Sequence, residues 1–180
     1  MLKQNDDQPT LTAVPAPNPM HVFFDTEFTG LTSNPRLLSI GLATDTGATL
    51  YLEFTDGWQE SACSPWVRQH ILPTLGQGER LTRSAAGQRI FDWLQALDAP
   101  LNLLADSDYD TVLLAELLQQ CGLAHASFRI QQLVFTGKPQ TLEFEAAKQR
   151  YLASHGLAPH HALSDAAALR AAWQQTMTIV

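Results

Sequence analysis

The sequence predicts an α/β fold in which a mixed five-stranded sheet is flanked by helices. Three observations predict it. Three apolar, β-prone runs follow a polar start, and a turn signal joins the last two. The rest of the chain interleaves strand-like and helix-like patterns, which calls for parallel strands with helices on the faces. Finally, 180 residues with 45% hydrophobic and 16% charged side chains are enough for one full core.

Residues 1–19 are polar and Pro-rich, with Pro9, Pro15, Pro17 and Pro19. They read as a flexible tail before a single domain over 20–180. Strands are expected over 21–28, 36–44 and 49–55, with Asp45-Thr46-Gly47 closing a hairpin between the second and third. A helix over 64–72 stops at Pro73. A loop with Gly76 and Gly78 leads to a second helix over 82–97, where Ile90, Trp93, Leu94 and Leu97 recur at helical spacing. A strand over 101–105 precedes a helix over 109–120, which Gly122 ends. A fifth strand over 129–135 is followed by helices over 143–155 and 164–176, separated by Gly156 and Pro159.

Composition narrows the function. A formal net charge of −7 argues against a long electrostatic grip on duplex nucleic acid. It leaves room for a short nucleic-acid end, or a small anion, whose phosphate is neutralised by metal. No apolar run reaches the length of a membrane span, and no secretory pattern opens the chain. Cys63 and Cys121 make no disulfide framework. Two reduced thiols in a cytoplasmic protein are the expectation, and a small acidic chain with several Trp and Leu residues is compatible with a homodimer.

The chemistry starts at Asp25 and Glu27, which end the apolar run Val22-Phe23-Phe24. Residues two apart on a strand share a face, so two carboxylates stand side by side. Like charges so placed need a proton or a cation. Mg²⁺ or Mn²⁺ suits such an oxygen-rich site. Asp110 opens the helix that carries Val112, Leu113, Leu114, Leu117 and Leu118, where the positive end of the helix dipole favours a carboxylate. His160 lies on the loop before the last helix, and Asp165 in its first turn.

Three motifs then carry a resemblance. Phe24-Asp25-Thr26-Glu27-Phe28-Thr29-Gly30-Leu31 resembles the first motif of the DEDDh 3′→5′ exonucleases, D-x-E with a trailing T-G-L. Tyr109-Asp110 before an apolar helix resembles the second. His160-His161-Ala162-Leu163-Ser164-Asp165 is similar to the third, H-x-A-x-x-D. Their order and approximate spacing agree from His21 to Trp173. The resemblance implies an RNase H-like fold and two divalent cations, Mg²⁺ or Mn²⁺. Asp25, Glu27, Asp110 and Asp165 would hold the ions, and His160 would take a proton from the attacking water. Two ions roughly 3.5–4 Å apart can clamp the attacking and leaving oxygens of a phosphodiester. Phe28, Thr29, Gly30 and Leu31 resemble the segment that contacts the terminal nucleotide. The pattern departs from the family where His-Asn often precedes the second Asp and where Thr often stands in place of Phe28. The Phe-Asp-Thr-Glu-Phe form and compact size look more like the small bacterial exoribonucleases than a polymerase-proofreading subunit.

Each residue also has a plainer reading. Asp25 and Glu27 alone would be strand-end acids on a wet rim; Asp110 and Asp165 alone would be ordinary first-turn acids. Asp106 and Asp108 read as solvated loop acids, with either able to assist a metal. His161 reads as a surface neighbour and the fallback for His160. The four tryptophans read as packing residues, and Arg68, Arg80, Arg83, Arg89 and Lys138 as solvation. The set together predicts a 3′→5′ exonuclease acting on single-stranded nucleic acid with a free 3′ end, with RNA slightly favoured over DNA. A catalytically silent binding module on the same scaffold is the alternative, separated by binding without cleavage. An internal nuclease is a third reading, separated by the product.

Overall fold

The computed structural model describes residues 18–123, 128–135 and 138–177. The expected tail lies outside the described residues as far as residue 17. Strands β1 (Met20–Phe28), β2 (Leu37–Thr44) and β3 (Thr49–Phe54) form an antiparallel meander. With β4 (Glu79–Leu81), β5 (Leu101–Ala105) and β6 (Phe128–Gln132) they make one sheet in the order β4-β3-β2-β1-β5-β6. Here β5 runs parallel to both β1 and β6, and β4 parallel to β3. The helices are α1 (Pro65–His70), α2 (Arg83–Gln95), α3 (Asp108–Gln120), α4 (Lys138–His155) and α5 (Ala162–Met177). None of the described helices is long and apolar enough to cross a membrane.

The mixed α/β class matches the expectation, with one strand more than the five expected. β4 falls where a loop was expected, because three residues are too few to reveal an alternating pattern. It is placed from outside by Glu53 at the end of β3. The Glu53 carboxylate accepts the backbone N–H groups of Gly76 at 2.8 Å, Gln77 at 3.0 Å and Gly78 at 3.1 Å. The strand expected over 129–135 ends at Gln132. The chain then turns over the sheet, where Leu133 and Phe135 pack on a core.

β1 is central, and its alternation assigns the two faces. Val22 and Phe24 join the larger core, with Ile90 of α2 and Leu113, Leu114 and Leu117 of α3. Phe23 points the other way, to Phe144 and Ala147 of α4 and Leu169 and Ala172 of α5. α1 covers a third cluster around Leu38, Cys63, Val67 and Ile71. Local signals set the helix ends. The Ser64 and Ser107 hydroxyls cap α1 and α3 by accepting the N–H of Val67 and Tyr109. At the other ends, Gly122 and Gly156 take positive φ, +69° and +63°, and stop α3 and α4.

Candidate active site

β1 pairs with β5 only over Met20–Phe23, and β5 ends at Ala105. The last residues of β1 therefore have a free edge at the carboxyl ends of two parallel strands, where α/β sheets open a crevice. Asp25 and Glu27 share the parity of Phe23 and turn towards α5. Thr26 turns towards α3. Its backbone N–H, at 3.0 Å, and its hydroxyl both donate to one carboxylate oxygen of Asp110, in the first turn of α3. Asp110 is thereby buried and fixed to β1.

α5 brings the third part. Gly41 of β2 pairs with Asp25, and a Cβ on Gly41 would lie 2.3 Å from the Leu163 nitrogen and 2.4 Å from the Ala162 carbonyl carbon. Only a residue without a side chain lets the start of α5 rest on the sheet here. Asp165 then sits above β1 and accepts the His160 N–H at 2.7 Å. His160 holds a φ of +63°, a left-handed conformation unusual for a residue with a side chain and common at functional positions. Its ring meets Trp66 edge-on, with centroids 4.8 Å apart.

Two groups of ligand atoms result. Glu27, His160 and Asp165 each place one within 4.8 Å of the others, and so do Asp25, Asp106 and Asp110. Burial, then the neighbouring carboxylates Asp110, Glu27, Asp165 and Asp106, hold the Asp25 carboxyl well above its ordinary range. Burial first, and then Asp165 and Asp110, push Glu27 up to about 8. Burial raises Asp110 to about 7 against the opposing hydrogen bond from Thr26. Asp165 is raised by burial, against its bond to the His160 N–H. Burial and neighbouring carboxylates thus work against the charge on all four carboxyl groups. A hard divalent cation relieves both, and a set of carboxylate oxygens suits such an ion.

Beside the acids runs an open apolar groove of about 520 Å³, lined by Glu27, Phe28, Gly30, Leu31, Ser64, Trp66, Val67 and Ile71. Phe28 stacks on Tyr109, with centroids 5.4 Å apart and planes 14° apart. Leu31 is 77% exposed and Trp66 47% exposed at the rim. Thr29, expected among the substrate contacts, is buried and is not part of this lining. Its hydroxyl accepts the Arg36 N–H and its carbonyl the Ser64 N–H, so it ties the loop to α1.

Three residues, Trp66, His161 and Asp106, sit differently from their plain sequence readings. Trp66 lines the groove and abuts His160; nothing in its local sequence separates it from a packing tryptophan. His161 is half-buried, with its ring 4.4 Å from that of Tyr51 and its Nε2 buried without a partner. Asp106 is half-buried in the Asp25 group and bonded to Lys148 of α4. Lys148 carries no local signal in the sequence; in the fold it shares the buried stripe of Phe144, Ala147 and Leu152. Burial works against its charge, but Asp106 and Glu145 outweigh that and raise its pKa. Asp108 stays exposed in the first turn of α3.

No protein-family profile matches the sequence, and no curated protein matches it. Solved structures do resemble its fold. Exonuclease I in its apo form superposes with a TM-score of 0.56 at 13% identity, covering 89% of this chain and 42% of that one. A product-bound structure of exonuclease I gives 0.56 at 14% identity, covering 89% and 43%. The chain thus spans less than half the length of these proteins. With β1 between antiparallel β2 and parallel β5, the chain has an RNase H-like mixed α/β fold, which it shares with these exonuclease I structures.

Proposed function

We propose that this protein is a metal-dependent 3′→5′ exonuclease that hydrolyses phosphodiester bonds at the 3′ end of single-stranded nucleic acid, with RNA slightly favoured over DNA. The observation that carries the reading is the convergence of Asp25, Glu27, Asp110, His160 and Asp165, from three distant stretches of chain, beside an apolar groove. Asp25, Glu27, Asp110 and Asp165 would hold two divalent cations, Mg²⁺ or Mn²⁺. Such ions polarise a phosphoryl oxygen and lower the pKa of a bound water. His160 stands on the open side of this set, where its imidazole can accept the proton of the attacking water. The groove of Phe28, Leu31 and Trp66 is apolar and open, as stacking on the terminal base requires. Gly30 packs its backbone against Ser64, where an added Cβ would come within 3.2 Å of the Ser64 Cβ. A net charge of −7 suits a grip on one chain end better than a grip on a duplex. The free thiols Cys63 and Cys121 suit a reducing cytoplasm.

The test is digestion of 3′-labelled and 5′-labelled single-stranded RNA and DNA, with and without Mn²⁺ or Mg²⁺. Mononucleotides released from the 3′ end, only with metal, are expected. Internal fragments, or binding without cleavage, would refute the proposal. Asp25→Ala should abolish hydrolysis and leave the fold intact. His160→Ala should lose most turnover yet keep metal binding. Wild-type turnover in either variant would remove its residue from the mechanism.

A further inference from the structure

We propose that Lys148 is a built-in counter-cation of the carboxylate cluster, and that by holding Asp106 it sets how tightly the cluster takes a divalent ion. The inference rests on the metal-binding reading of the site. Lys148 lies on the stripe of α4 that packs on the sheet, between Ala147 and Leu152, so its stem runs along the core and only its head reaches polar company. Its side chain is 15% exposed. The ammonium donates to Asp106 Oδ2 and stands 3.6 Å from Glu145 Oε1. Asp106 is held at its main chain as well, where its carbonyl accepts from Gln132 Nε2 at 3.2 Å. It is therefore a fixed member of the group with Asp25 and Asp110, and not a loop acid that swings in from solvent.

The charges give the consequence. Ionised, Asp25, Asp106 and Asp110 form a site of charge −3, and Lys148 reduces it to −2. A divalent ion entering beside Asp25 and Asp110 meets the ammonium as a competitor for Asp106 and as a like charge. Removing the ammonium therefore strengthens the site for the ion, and removing Asp106 alone strands the ammonium next to it.

The test is Mn²⁺ binding measured by calorimetry, with no substrate present. Lys148→Met should bind Mn²⁺ about tenfold more tightly than wild type, the scale expected for a unit charge near a divalent-ion site. Asp106→Asn should bind it about tenfold more weakly, and Asp106→Asn in the Lys148→Met background should cancel most of the gain. Lys148→Arg, which keeps the charge, should stay near wild type. Lys148→Met leaves a half-buried carboxylate unpaired and lowers the melting temperature in chelator. Its rise in melting temperature on adding Mn²⁺ should then exceed that of wild type, so the variant reports even when it is less stable. Equal or weaker Mn²⁺ binding by Lys148→Met overturns this inference while the metal-site reading stands. No Mn²⁺ binding by wild type or variant overturns both.

Discussion

Gly41→Ala should damage the active site from a position that touches no substrate. The added methyl would sit 2.3–2.4 Å from three backbone atoms of Ala162 and Leu163. Carbon needs at least about 3.4 Å, so the start of α5 must lift by about 1 Å, since backbone, unlike the end of a long side chain, cannot fold aside. Overpacking of this kind costs about 1–3 kcal/mol. The larger effect is on chemistry, because Asp165 and His160 ride on that turn while Asp25 and Glu27 stay on β1. A misplacement of about 1 Å between groups that must act together costs on the order of 100-fold in turnover. The assay is single-turnover cleavage of a short 3′-labelled oligonucleotide with Mn²⁺, beside a urea melt of the same preparation. We expect a fall of about 100-fold in turnover from a protein that is still folded at the assay temperature. A folded Gly41→Ala protein with turnover within twofold of wild type would refute the claim that contact between β2 and α5 positions the two halves of the site.

Other expectations follow from the same contacts. Without metal, stability should fall as pH rises from about 5 to about 8. Glu27 is raised from 4.5 to about 8 and Asp110 from 3.8 to about 7, so across that window the folded state binds protons that the unfolded state has released. Each such group contributes a slope of about −1.4 kcal/mol per pH unit while it stays protonated only in the fold. Urea melts in chelator test this, and a stability that rises with pH there contradicts it; saturating Mn²⁺ should flatten or reverse the trend. Glu53→Ala should cost at least about 2 kcal/mol, because three backbone N–H groups lose a charged acceptor. Hydrogen exchange should locate the loss at Gly76–Gly78 and β4, and unchanged protection there would remove Glu53 from its placing role. Trp66→Ala should raise KM for oligonucleotides by about tenfold, from the loss of one stacking platform. An unaltered KM would take Trp66 out of the binding groove.

The strands and helices that repeat a pattern over many residues were legible in the sequence. β1, β2 and β3 show as apolar runs, α2 and α3 by their apolar spacing, and Gly122 marks the end of α3. β4 was not legible, because its place depends on Glu53, 23 residues or more away in the chain, and not on its own three residues. The same divide runs through the site. Asp25 and Glu27 announce themselves because local geometry alone puts two charges on one face of a strand. Lys148 and Trp66 do not, because their meaning comes from what faces them across the fold: Asp106 at the end of β5 for one, His160 before α5 for the other.

β1 explains why the acids converge at all. A strand in the middle of a sheet sends successive side chains to opposite faces, and each face here is covered by a different helix layer. Asp25 and Glu27 thus meet Asp165 on the α5 side, while Thr26 between them reaches the other way and fixes Asp110 through its N–H and its hydroxyl. One residue separates the two directions, so the two sides are joined through a single Cα. Deleting or inserting a residue between Phe23 and Glu27 would exchange the faces, burying Asp25 or Glu27 against Ile90 and Leu113. The motif's fixed spacing is therefore demanded by the packing on both sides of the sheet as much as by the chemistry. The same condition makes the Thr26 hydroxyl a direct probe. Thr26→Val keeps the strand and its backbone N–H bond but removes the short hydroxyl contact to Asp110. It should loosen Asp110 and weaken Mn²⁺ binding with little change in the melt, whereas an unchanged Mn²⁺ affinity would show that the N–H alone holds the carboxylate.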